Sequence, residues 1–174
     1  EAFKGEAAFA ASGSTAQILN DSTYVFVTGG LKSRFFKSTN NGDSWTEVVL
    51  PYYPGESIGP YSMCFSNETS GVMVGGDYLD PTLRMNTCFY TTDGGESWIN
   101  AENSVRGYRS CVYFTNSVYY ACGNNGIDFS LNGGLDWIPF ADGPFFSLTS
   151  TKDKLIATTR FGTIAMFDLI EVEE

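Results

Sequence analysis

One eight-residue pattern occurs three times in this 174-residue chain and constrains it more than any other feature. Ser38-Thr39-Asn40-Asn41-Gly42-Asp43-Ser44-Trp45, Thr91-Thr92-Asp93-Gly94-Gly95-Glu96-Ser97-Trp98 and Ser130-Leu131-Asn132-Gly133-Gly134-Leu135-Asp136-Trp137 align without gaps as Ser/Thr-x-Asp/Asn-x-Gly-x-x-Trp. The tryptophans are 53 and 39 residues apart, and all three tryptophans of the protein lie in this pattern. Each position has a physical reading. Asn40, Asp93 or Asn132 closes a turn by bonding the backbone two residues on. Gly42, Gly95 or Gly134 supplies a positive φ. Trp45, Trp98 or Trp137 packs a large ring under the turn. The pattern therefore predicts a hairpin tip with one strand running in and one running out. A calcium loop at Asp93-Gly94-Gly95-Glu96 is disfavoured, because two copies carry Asn at the acidic position and the ligands are too few.

Short β-patterned runs surround each copy. The second strand of each unit starts at 23, 72, 118 and 154, so the repeat recurs every 49, 46 and 36 residues. No helical periodicity of useful length competes. Each unit offers four strands; in the fourth unit, which has no Trp pattern, the last is the weak run Leu169–Val172. Four-stranded antiparallel units at this period predict an all-β β-propeller of about four blades, approximately 14–50, 60–101, 108–141 and 144–173.

Composition narrows the chemistry. There is no histidine, which removes Ser-His-Asp and Cys-His catalysis and most catalytic zinc sites. No cofactor fingerprint or metal-ligand spacing is present. The net charge of −10 disfavours nucleic acid, and no apolar run reaches the roughly 18 residues needed to span a membrane. The four cysteines match no zinc or redox spacing. A two-residue turn at Asn116-Ser117 would set Cys111 opposite Cys122, either as a cross-strand disulfide or as two reduced core thiols. Asn20-Asp21-Ser22 and Asn67-Glu68-Thr69 are glycosylation sequons in predicted turns, relevant if the chain passes through a eukaryotic secretory pathway.

The repeated pattern resembles the Asp box, or BNR repeat, of sialidases, sortilins and related propellers. More closely, the chain resembles the photosystem II stability and assembly factor-like propellers, often labelled oxidoreductases. The similar segments are Gly5-Glu6-Ala7-Ala8-Phe9-Ala10-Ala11-Ser12-Gly13, Val74-Gly75-Gly76-Asp77-Tyr78, Gly107-Tyr108-Arg109-Ser110 and the three Trp patterns. In such proteins the first of these segments lies near mid-chain, after about three blades of a seven-bladed ring; here it opens the chain. The resemblance thus leaves three arrangements open: a C-terminal part of a longer propeller, a processed chain that needs a complementary part, or a small closed propeller. It also implies a secreted, periplasmic or extracellular setting.

Propeller sites usually form where the units converge. Glu6, Arg34, Asp77, Tyr78 and Arg109 are polar residues out of character with their surroundings near inner strands. They fit either an interblade ion-pair network or a pocket for a small polar or anionic ligand. The expected function is non-enzymatic binding or assembly, with a protein partner or such a ligand. The alternative is a glycoside hydrolase or lyase of sialidase-like architecture, although the Phe/Tyr-Arg-Ile-Pro segment typical of sialidases is missing.

Overall fold

The computed structural model describes residues 1–11 and 13–172. Ser12 of the N-terminal resemblance segment and residue 173 of the expected fourth unit lie outside the described residues. No helix occurs among them, and sixteen strands form four antiparallel sheets in chain order.

The first sheet contains β1 (Glu6–Ala7), β2 (Ala16–Ile18), β3 (Tyr24–Gly30), β4 (Arg34–Ser38) and β5 (Thr46–Val49). β1 and β2 pair with successive parts of β3, so the innermost strand is broken in two. The second sheet is β6 (Ile58–Phe65), β7 (Gly71–Asp77), β8 (Cys88–Thr91) and β9 (Ile99–Asn100). There a single strand, β6, spans the inner position, with a bulge between Pro60 and Ser62. The third sheet is β10 (Cys111–Thr115), β11 (Val118–Gly123), β12 (Gly126–Ser130) and β13 (Ile138–Ala141). The fourth has only β14 (Phe145–Ser150), β15 (Lys154–Thr159) and β16 (Ile164–Asp168).

The expected fourth strand of that last sheet, Leu169–Val172, does not form. The chain turns back instead: Leu169 N donates to Asp153 O at 3.3 Å, Ile170 N donates to the Tyr120 hydroxyl at 2.9 Å, and Asn116 Nδ2 donates to Ile170 O at 2.8 Å. Leu169 and Ile170 pack on the apolar layer between the third and fourth sheets. Burying two apolar side chains there outweighs one more row of strand bonds exposed to water.

The repeated pattern builds the same turn three times. Gly42, Gly95 and Gly134 N donate to the hydroxyls of Ser38, Thr91 and Ser130 at 2.9, 3.0 and 3.0 Å. The Asn40, Asp93 and Asn132 side chains accept from the backbone N of Ser44, Ser97 and Asp136 at 2.9, 3.0 and 3.0 Å. The side-chain bond thus reaches four residues on rather than two, and the leading Ser/Thr shares the work of closing the turn. The three glycines have φ of 91°, 90° and 95°.

Each sheet has a front face toward the preceding sheet and a rear face toward the next. Three apolar layers result. Val25, Val27 and Phe35 meet Met63, Phe65 and Trp98 between sheets one and two. Val72, Val74 and Cys88 meet Val112, Tyr119 and Trp137 between two and three. Tyr120, Cys122 and Ile127 meet Leu148, Leu155 and Phe167 between three and four. Inner strands are cross-linked by Ser62 Oγ, which accepts from Val112 N at 2.8 Å, and by Ser110 Oγ, which donates to Phe146 O at 2.9 Å.

The Asn116-Ser117 turn has positive φ at both residues (50° and 62°), and Cys111 is the register partner of Cys122. All four cysteines are thiols in this structure. Burial pushes the Cys64 thiol up to about 11 and lifts Cys88 and Cys122 well above the ordinary thiol range, so little thiolate exists near neutrality.

Candidate functional site

Because strand direction alternates, the Trp turns and inner hairpins lie at one end of the stack. The loops between second and third strands lie at the other end, together with the linkers between sheets. β7 runs into this second end through Gly75-Gly76, where Gly76 has a φ of 115°. Asp77 and Tyr78 follow.

Tyr78 is 50% exposed and stands edge-on to Tyr61, with ring centroids 6.3 Å apart. Tyr61 is buried, stacked on Phe9 at 4.4 Å and edge-on to Tyr108 at 4.9 Å. Four aromatic rings from four segments therefore form one platform at this end. Glycines make it possible: a methyl group added at Gly29 or Gly59 would press into the Phe9 ring. The Tyr61 hydroxyl donates to Ser57 O at 2.9 Å, and Tyr108 N donates to Pro81 O at 3.1 Å, which ties the Tyr78 loop to the linker before β10. Burial raises the Tyr61 and Tyr108 hydroxyls above the ordinary phenol range, so these two rings stay neutral. Tyr53, Leu79, Leu83 and Met85 are also exposed on the loops and linkers of this end.

The five residues singled out from sequence do not form one site. Asp77 and Tyr78 belong to the platform; Asp77 Oδ1 accepts from Leu79 N at 2.9 Å and so shapes the loop. Glu6 and Arg34 form a separate cluster on the front of the first sheet. Glu6 accepts from Arg34 Nε and Nη2, both at 2.7 Å, from the Thr28 hydroxyl at 2.5 Å and from Phe3 N at 2.8 Å. Arg34 also pairs with Glu47, and its guanidinium lies between the Phe3 and Phe36 rings at 4.7 and 4.5 Å. Burial alone would raise the Glu6 carboxyl, but these hydrogen bonds outweigh it and hold the pKa at about 2. Arg34 is thus already met by two carboxylates.

Arg109 must be reassigned. It is fully buried, and its donors go to Asp128, to Asn125 Oδ1 at 2.6 Å and to Tyr108 O at 2.9 Å. Arg106 completes the knot, bonding Asp128 at 2.6 Å, Asp142 at 2.6 Å and the carbonyls of Ile127 and Ala141. Burial pulls Arg109 below the ordinary arginine value, and the Asp128 charge opposes that pull. A cation so enclosed holds the linker onto β12 and presents no donor to a ligand. Among the described residues, no group of three or more His, Cys, Asp or Glu side chains is placed to hold a metal ion. Among them, too, no helix is long and apolar enough to cross a membrane.

The stacked four-sheet arrangement is that of a β-propeller, of which this chain forms a part of about four blades. No protein-family model matches the chain, and no curated protein does. Solved structures match its fold. The computationally designed Ika4 protein superposes with a TM-score of 0.55 at 11% identity, over 86% of this chain and 87% of that one. YCF48 bound to D1 peptide gives a TM-score of 0.58 at 18% identity, over 94% of this chain and 54% of that one. An ancestral GH74 enzyme gives 0.56 at 20% identity, over 82% of this chain and 21% of that one. The chain therefore spans about half of YCF48 and about a fifth of the GH74 enzyme.

Proposed function

We propose that this is a non-enzymatic binding propeller that takes a protein partner, as an extended peptide segment, on the aromatic end platform. The observation that carries this reading is Tyr78: a half-exposed ring backed by three more aromatic rings and flanked by exposed Leu79, Leu83 and Met85. Aromatic anchors on a rigid base are where binding energy concentrates at protein interfaces. YCF48, a structural neighbour, was solved with a peptide bound, which supports the same class of ligand here. The three Trp turns, closed by the same Ser/Thr and Asp/Asn bonds, support the Asp-box reading, and with it a secreted, periplasmic or extracellular setting. The small-anion reading loses support, because Arg34 and Arg109 are both occupied by carboxylates.

Selection of a displayed peptide library on the 174-residue chain tests this. Enriched peptides should carry apolar side chains, and Tyr78→Ala should weaken them at least about 10-fold, the size of a modest hot spot. Thr46→Ala, at the Trp-turn end, should leave them unchanged. Peptides that bind Tyr78→Ala as well as the parent protein, or no enrichment at all, would overturn the reading.

A further inference from the structure

The three Trp turns are chemically alike but differently covered. Trp98 packs against Phe35 of the preceding sheet at 5.3 Å, and Trp137 lies buried in the layer shared with the second sheet. A methyl group added at Gly95 would collide with the Phe35 ring, and one at Gly134 with Val72; both are residues of the preceding sheet. In the first sheet the turn is the same, and Trp45 Nε1 donates to Gly42 O at 3.1 Å just as Trp137 Nε1 donates to Gly134 O at 3.0 Å. Yet Trp45 is 43% exposed, and a methyl group at Gly42 would meet only its own Trp45. Beside it, Phe26 is stacked on Phe36 at 4.4 Å and edge-on to Trp45 at 5.1 Å. Two hollows of about 320 and 230 Å³ flank Phe26, and the exposed Ile18 lines the smaller one. The front of the first sheet is thus built as a blade–blade interface; the N-terminal Glu1 and Phe3 cover its Arg34 end, and no other sheet of the described residues packs on it.

The opposite half of such an interface is on the same chain. The rear of the fourth sheet exposes Ile164 (68%) and Met166 (66%) on β16, with the partly buried Ile156 beside Met166 in register. These are protruding apolar side chains where the first sheet offers hollows. Charge is arranged to permit contact at the ends. Residues 51–143 hold ten acidic and three basic side chains, whereas residues 1–50 hold five and four, and 144–174 hold five and three. The two terminal stretches carry net charges of only −1 and −2, so their docking meets little like-charge repulsion.

We propose that two copies of this chain close into one ring, the front of each first sheet docking on the rear of the other's fourth sheet. The contact joins two different faces, and such contacts make rings only when the rotation closes. The match spans 54% of the YCF48 chain, so two copies together have about the length of that one chain. The proposal does not depend on the peptide-binding reading.

Light-scattering mass measurement of the full chain at micromolar concentration, with circular dichroism to check folding, tests it. The parent protein should show twice the chain mass of 19.0 kDa. Trp45→Glu and Met166→Asp should each reduce the mass to that of one chain while keeping the β spectrum. Mixing the two variants should restore the doubled mass, because one of the two junctions then contains only native faces. A single-chain mass for the parent protein overturns the proposal and leaves the face to blades of another chain. A doubled mass that survives both substitutions, failure of the mixture to recover, or a ladder of larger species also overturns it.

Discussion

At the scale of single residues, the buried charges carry the clearest consequence. Arg109 and Asp128 are both buried, and each is the other's main compensation. Arg109→Ala would leave a carboxylate enclosed with only Arg106 to meet it, so the expected cost is on the order of 3–5 kcal/mol. Urea unfolding of the variant measures this. A cost below about 1 kcal/mol would show that the knot adds nothing, as for most exposed ion pairs. Arg109 was legible in the sequence as a polar residue out of place; its partner was not. The signal for Asp128 was present all the same, since it sits between Ile127 and Phe129, both of which face the apolar layer. The acid that pattern reading grouped with Arg109, Asp77, is committed by the fold to its own loop.

At the scale of elements, turns were more legible than inner strands. The Trp turns and the Asn116-Ser117 hairpin follow from local chemistry, and so does the Cys111–Cys122 register. β1 was not legible, because two residues carry no periodicity and its place is fixed through its own Glu6 by Arg34 of another element, β4. The same side chain makes β1 sensitive to acid. The Glu6 carboxyl has an ordinary value of 4.5 and is held at about 2 in the fold. Its folded value is depressed, so its contribution is present above about 4.5 and is lost as pH falls toward 2. The thermal midpoint should fall over that window more steeply in the parent protein than in Glu6→Gln. Equal slopes in the two proteins would show that β1 is not held by this carboxylate.

At the scale of the whole molecule, the four-sheet stack was legible from repeat period alone, because each unit must bury both faces against its neighbours. The split of Glu6–Arg34 from Asp77–Tyr78 was not, since spacing along the chain says nothing about which face of a blade a side chain takes.

The three-stranded last sheet has a consequence for how the molecule breathes. Every other sheet ends on a fourth strand that follows a Trp turn, whereas in the fourth sheet the third strand, β16, is already the outer edge. Stability in a stack of repeats is approximately nearest-neighbour, so in the single-chain arc, obtained with Trp45→Glu, opening should begin at the ends and spread inward. Deuterium uptake should appear first in β16, then in β15 and β2, and last in β7 and β11, which have neighbours on both faces and both edges. Exchange that is uniform across the four sheets would mean that the arc opens as one cooperative unit. If the order holds, unfolding starts beside Leu169 and Ile170, so the final turn is both the tether of the last blade and the place where the molecule first comes apart.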